Sequence, residues 1–455
     1  MFAYGSSTLV LAIYLAALGH SDPKIGLFLT LTLVGDVGIS LLLTFVADSL
    51  GRRKILIAGG LLMTLSGIAF ATFSNYWILL LAAVVGVISP SGNEIGPFRA
   101  VEESTLAHLS DAKTRSDVFA FYVVVGTLGG AGGSLSAGWI TQALQAAGWS
   151  EESSYRSIFW LYAIIGLLKA GITSLLSDEC EAQPSPPHRA ENDPAAEESE
   201  AFLSASQAPA AAPPPPTKPK SAISQISPSS RLVLLKLCSL FFFDSLASGM
   251  VPNSLIVLYI SRKFRLAEGK LGTIIASAQF VSSIGNIFAS SVAKRIGLVR
   301  TMVFTHLPSA IMLALIPAPS SLALTIVLLV ARASLASMDQ APRSAFLSAI
   351  VRAEERTAVM GVVNTVKTSS QSSGPLITGS LAGGGRFWIA FVIAGALKAG
   401  YDVGMLSMFA NVRLEGDARS ERQGDTGDVA AAEEFELGDG EEDSENEDHS
   451  RTVRR

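Results

Sequence analysis

The chain has 455 residues, of which 49% are hydrophobic and only 16% charged, and its formal net charge is −5. Soluble domains carry about 25% charged residues, so the composition argues against an ordinary water-soluble enzyme. Charge is concentrated in two segments, 178–230 and 411–455, which leaves the remainder more apolar than the average suggests.

That remainder is a series of apolar runs near 1–19, 25–47, 55–73, 77–100, 117–143, 156–177, 232–260, 268–293, 299–317, 320–344, 358–382 and 387–409. Each is close to the ~20 residues that carry a helix across a bilayer core. Only helices and closed barrels satisfy their backbone hydrogen bonds in lipid, and the runs lack the alternation of barrel strands. The expected fold class is all-α integral membrane, with twelve transmembrane helices. Segment 178–230, with Pro184, Pro186, Pro187 and Pro213 to Pro216, cannot bury a core and reads as a disordered linker. Segment 411–455, rich in Asp, Glu and Gly, reads as a disordered acidic tail. The expected organisation is a six-helix half over 1–177, the linker, a second six-helix half over 231–410, and the tail.

Cys180 falls in the linker and Cys238 inside a span, so no disulfide is expected. No zinc spacing, phosphate-binding glycine loop, nucleophile elbow or nucleic-acid motif is present. No cofactor, metal, nucleic-acid partner or enzymatic activity is expected. The even-to-odd loops hold Arg52, Arg53, Lys54, Lys113, Arg115, Lys294, Arg295, Arg300, Arg352 and Arg356. Basic residues in short loops mark the cytosolic side, which puts both termini and the linker in the cytosol. A basic cluster at Arg262, Lys263, Arg265 and Lys270 runs against this pattern.

The chain is doubled. Ile25-Gly26 returns as Leu271-Gly272, Val46-Ala47 as Val292-Ala293, and Gly51 as Gly297, all at a shift of 246. Leu106, Arg115, Gly133 and Gly138 return as Leu347, Arg356, Gly374 and Gly379 at a shift of 241. Phe159-Trp160 returns as Phe387-Trp388, and Gly166-Leu-Leu-Lys-Ala-Gly171 as Gly395-Ala-Leu-Lys-Ala-Gly400. The halves are therefore pseudo-symmetric. At the first shift Met1 corresponds to Ala247, inside the seventh span, so the first helix is expected to be shorter than its counterpart.

Between the second and third runs stands Thr44-Phe-Val-Ala-Asp48-Ser-Leu-Gly51-Arg52-Arg53-Lys54. It resembles the loop 2–3 signature of the major facilitator superfamily from Asp48 through Lys54. Leu109 to Arg115 and Ile350 to Arg356 resemble a second element of that superfamily without its proline, and residues 96–106 are similar to a fungal branch. The resemblance implies a secondary active transporter of a small solute, acting as a monomer in the lipid bilayer by alternating access. It would be a symporter or antiporter, driven by an ion gradient such as protons. Asp48, Gly51, Arg52 and Arg53 would form the gating motif, with Asp48 and Arg52 latching the cytosolic side. The alternative is a non-transporting nutrient sensor on the same fold.

Ionisable residues inside spans are costly and mark candidate sites. Glu94 and Arg99 in the fourth span and Asp339 and Arg343 in the tenth repeat an acid-x-x-Pro pattern followed by Arg. The offset of four puts Asp339 and Arg343 on one helix face; the offset of five leaves Glu94 less paired and the first candidate for proton exchange, with Asp244 second. Asp36, Asp244 and Arg332 fall near mid-bilayer. The resemblance puts the fourth, seventh and tenth spans on the central pathway. Lys169 and Lys398 read as snorkelling or as local pairs, such as Lys398 with Asp402 one turn on. Glu102 and Glu103 read as interfacial partners of nearby bases, and His108 and His306 carry no assignable role.

Overall fold

In the computed structural model, residues 1–86, 97–111, 114–177, 228–351 and 355–409 are described, together with Ile88, Pro90 and Cys180. The expected linker falls almost wholly outside them, and the expected tail entirely so. Every regular element among the described residues is a helix. The first half holds α1 (Phe2–Ala17), α2 (Asp22–Leu50), α3 (Arg52–Thr72), α4 (Tyr76–Val85), α5 (Pro97–Leu109), α6 (Arg115–Ala146) and α7 (Glu151–Ser174). The second holds α8 (Pro228–Met250), α9 (Asn253–Phe264), α10 (Glu268–Ile296), α11 (Leu298–Leu315), α12 (Leu322–Ser337), α13 (Gln340–Ile350), α14 (Arg356–Gly383) and α15 (Phe387–Phe409).

Among the described residues, eight segments are long and apolar enough to cross a membrane by themselves. They lie on α2, α3, α6, α7, α8, α11, α12 with the start of α13, and α15. The remaining four of the twelve spans are α1, α4 with α5, α10 and α14. α10 and α14 are too polar to qualify alone because each carries several serines and a glutamine (Ser277, Gln279, Ser282 and Ser283; Ser369, Ser370, Gln371 and Ser372). Large apolar side chains such as Leu65, Trp77, Leu81, Phe121, Ile164, Leu168 and Leu175 stand exposed, the inverse of a water-soluble protein and the surface that lipid requires.

The fourth, seventh and tenth spans, which read as continuous from sequence, are each divided in two. Proline is the cause. Pro252 has no N–H to give the Ser248 carbonyl, and Pro342 none for Met338, so the helical ladder opens at Val251–Pro252 and at Met338–Asp339. Pro97 opens α5 as its first residue, where a missing N–H costs nothing. The breaks of the fourth and seventh spans meet: the Ser254 N–H, an orphan of the first turn of α9, donates to the Pro90 carbonyl at 3.3 Å.

The doubling read from sequence is a doubling of packing. α1 lies on α6 and α3 on α7; α8 lies on α14 and α11 on α15. The repeated Phe-Trp shows what is repeated. Phe159 packs against Tyr14 with centroids 5.2 Å apart, and Phe387 against Tyr259 at 5.2 Å, while Trp160 and Trp388 face outward. Gly51 and Gly297 occupy the tight turns into α3 and α11 at φ of 89° and 86°, a backbone region open to glycine at little cost.

The halves join through α2 with α14 and α6 with α10. At these crossings the repeated glycines meet each other. A Cβ on Gly26 would stand 2.9 Å from the Gly379 Cα, and one on Gly272 3.1 Å from the Gly138 Cα. The same end of the bundle carries the polar contacts between halves. Arg262 pairs with Asp22 at 2.8 Å. Glu268 accepts from the Tyr155 hydroxyl at 2.7 Å and from the Gln145 amide at 3.2 Å. The Gly269 N–H donates to the Gln142 side chain at 3.1 Å. Asp22 and Glu268 are counterparts at the shift of 246, each in the first turn of its helix. The basic cluster that ran against the charge pattern is thereby explained in part. Arg262 bridges the halves, and Lys263 caps α11 by donating to the Pro317 carbonyl at 2.6 Å.

Candidate functional site

Three of the residues singled out from sequence converge inside the second half. The Asp244 carboxylate, 3% exposed on α8, is the hub. It accepts from Arg343 Nη1 at 2.8 Å and from Lys398 Nζ at 2.7 Å. Arg343 uses Nη2 on Asp339, one helical turn earlier, as the offset of four predicted. The helix break puts both in reach: Asp339 is the residue before α13, and Arg343 lies in its first turn, its N–H donating to the Asp339 carbonyl at 2.9 Å.

Further residues complete the cluster. Lys398 also donates to Ser248 at 2.8 Å. Asp402 accepts from His306 Nδ1 with both oxygens at 2.9 Å, and His306 Nε2 stands 3.7 Å from Asp244. Lys398 and Asp402 are thus not the local pair their spacing suggested. Each reaches to another helix, because α15 packs its buried face into the angle between α8 and α11. Tyr401 lies under the guanidinium, its ring centroid 5.2 Å from the Arg343 Cζ. Lys367 on α14 comes over Phe241, 5.5 Å from the ring centroid, on the same ring that Arg343 approaches at 5.7 Å.

A charge removed from water is tolerable only when paired and hydrogen-bonded. Asp244, Asp339 and Asp402 each meet that condition. The exceptions are on the cationic side. Arg343 Nε is buried and has no hydrogen-bond partner among the described residues. Lys367 has no ion-pair partner among them either.

The other sequence candidates lie elsewhere. Arg332 is on α12, its carbonyl accepting from the Ser309 hydroxyl at 3.1 Å. Asp36 sits part-buried on α2, within electrostatic reach of Tyr4 and Tyr162. Glu94, and the side chains of Arg99 and Asp48, lie outside the described residues. In the first turn of α3, after Gly51, Arg53 donates to the Ser174 carbonyl at 2.5 Å, tying α3 to the end of α7. In the first half Glu102 pairs with Lys169 at 2.5 Å and accepts from the Tyr122 hydroxyl at 2.9 Å. Glu102 is the counterpart of Arg343 at the shift of 241, so the repeated lysine meets this position directly in one half and through Asp244 in the other. Both cysteines are free.

His306, Lys367, Lys398 and Asp402 were not assigned to a site from sequence. One signal was available: each is an ionisable residue within an apolar span. What the sequence lacked was the pairing, which spans 154 residues from Lys398 to Asp244 and 96 from His306 to Asp402.

Two six-span helical halves, with broken helices beside a buried charge network, define the architecture of a secondary membrane transporter. The profile of the Major Facilitator Superfamily matches residues 1–252 and 237–431, and the chain belongs to that family. It is a multi-pass membrane protein of a solute-transport family, not an enzyme. It is 36% identical over 426 residues to the uncharacterized membrane protein YJR124C of Saccharomyces cerevisiae, covering 93% of each chain. Its fold is similar to that of the nucleoside transporter NupG, with a TM-score of 0.62 at 14% identity over 90% of this chain and 96% of that one. It is also similar to the xylose transporter XylE from E. coli, with a TM-score of 0.61 at 13% identity over 91% and 95% of the two chains.

Proposed function

We propose that this chain moves a small solute across a membrane by alternating access, with proton movement linked to the cycle. The observation that carries the reading is the network of Asp244, Asp339, Arg343, Lys398, His306 and Asp402. It joins α8 and α13, on the spans that line the pathway in this family, to α11 and α15 behind them. The network holds an imidazole, His306, between two carboxylates, Asp402 and Asp244. A proton carried there would reach Arg343, on the pathway, through Asp244, so the His306–Asp402 pair joins Glu94 as a candidate for the coupling site.

On the orientation given by the basic loops, both termini face the cytosol, and the contacts through Asp22, Glu268 and the repeated glycines close the outer end. The gating motif at Asp48, Gly51, Arg52 and Arg53 then belongs to the opposite, cytosolic end. It would hold that end shut when the outer end opens.

Purified full-length protein in proteoliposomes tests the reading. With a candidate solute mixture inside or outside, an imposed pH gradient drives accumulation that a protonophore abolishes, and Asp244→Asn abolishes it too. Specific solute binding without movement under any gradient would instead make the chain a sensor on this fold.

A further inference from the structure

We infer that the solute bound by this network is an organic carboxylate, held by Lys367 and Arg343 at the Phe241 ring. The inference rests on the transport reading above and names its substrate class.

The ion-pair inventory is the first ground. Asp402 is engaged by His306, with both oxygens at 2.9 Å from Nδ1. Asp244 and Asp339 are committed to Arg343 and Lys398. Lys367 lies within electrostatic reach of Arg343, Asp244 and Asp339, yet has no ion pair with any described carboxylate. Of the cluster's lysines and arginines, it is the one left unpaired among the described residues, and it sits on α14.

The second ground is independent of the first. Arg343 Nε is a buried N–H with no acceptor among the described residues. A planar guanidinium whose two outer nitrogens are occupied offers its remaining N–H along one edge. Lys367 and Arg343 both stand over Phe241, at 5.5 and 5.7 Å. The unspent donor and the unspent charge are thus gathered at one aromatic side chain. A ligand bringing one negative charge and two acceptor oxygens beside an apolar body answers all three features. A carboxylate does so; a neutral solute would leave the Lys367 ammonium without an ion pair and the donor unmet.

The test uses the purified full-length protein in detergent with benzoate, lactate and succinate as probes, each against its amide, and inorganic phosphate as a further control. Binding is read as thermal stabilisation and by equilibrium dialysis of the labelled acid. At least one carboxylate is expected to bind, and its amide not. Lys367→Gln is expected to weaken that binding at least tenfold, and Lys367→Arg to restore most of it. Lys367 makes no ion pair among the described residues, so the Gln variant should fold, and size-exclusion behaviour checks this. Carboxylate binding unchanged in Lys367→Gln overturns the proposal, as does binding of amides or phosphate in place of carboxylates, or no binding by any of the three acids. The same probes in proteoliposomes separate the two readings. A carboxylate that binds through Lys367 but is not moved supports the anion site and sinks transport. A neutral solute moved without competition from any carboxylate sinks the anion site and leaves transport standing.

Discussion

Asp244 accepts from two cations that come from different helices, so replacing it strands both. Asp244→Asn is expected to destabilise the second half by about 3–5 kcal/mol, the usual cost of leaving a buried charge without its partner. Adding Lys398→Gln to that variant removes one of the stranded charges and should recover part of the loss. A double-mutant cycle on thermal unfolding in detergent measures the coupling, and strict additivity of the two single effects would show that the pair does not interact. His306 carries a second expectation. Its imidazole faces Asp244 from α8, Asp402 and Tyr401 from α15, with Arg332 on α12 and Arg343 on α13 as the cations of the other helices packed on α11. The pH profile of uptake should depend on this imidazole if the coupled proton resides there. His306→Gln should flatten that profile while leaving the protein folded. A profile of unchanged shape would remove His306 from the coupling and return attention to Glu94.

At the scale of the helix, the crossings of α2 with α14 and α6 with α10 depend on hydrogen-sized side chains. A Cβ at Gly26 would meet the Pro375 carbonyl oxygen at 2.5 Å, and one at Gly138 would meet the Glu268 oxygen at 2.4 Å. Gly26→Leu should cost the closed outer end about 1–3 kcal/mol, the usual penalty of overpacking. The halves would be pushed apart there without unfolding either. Leu258, 4% exposed beside this crossing, provides the readout. In a Leu258→Cys background, labelling by a membrane-impermeant thiol reagent should rise several-fold when Gly26→Leu is added. In the sequence these glycines stood out only as members of the repeat; that the halves meet at them came from the packing. The breaks at Val251–Pro252 and Met338–Asp339 were not read from the sequence. An apolar run looks the same to a hydropathy count whether its ladder is continuous or interrupted, and the prolines alone do not say whether a helix kinks or divides.

For the whole molecule, the two pseudo-equivalent acids Asp22 and Glu268 tie the halves at one end, each to the opposite half. Alternating access needs that tie to break in each cycle. The double variant Asp22→Asn with Glu268→Gln is expected to shift the equilibrium toward the state open at this end by about 1–3 kcal/mol, in the usual range of conformational coupling. Disulfide trapping between cysteines placed at Gln142 and Gly269, now joined by a hydrogen bond, would report the shift as slower cross-linking. Equal trapping rates would mean that the glycine crossings alone hold this end closed.

Composition and run length determined the all-helical membrane fold, since lipid admits few ways to satisfy a backbone. Internal repetition determined the two halves. The Asp48 to Lys54 stretch determined the family, and the offset of four determined the Asp339–Arg343 pair. Tertiary structure alone decided which charges share a site. Lys398 and Asp402 are one turn apart on a single helix, and local spacing made them partners. Packing sends the lysine to α8 and the aspartate to α11, because a long side chain on a buried face reaches the neighbouring helix as readily as its own next turn. It also brought His306 and Lys367 to the same cluster from two other helices. Distances across a bundle are fixed by how the helices lie on one another, and sequence separation carries no record of them.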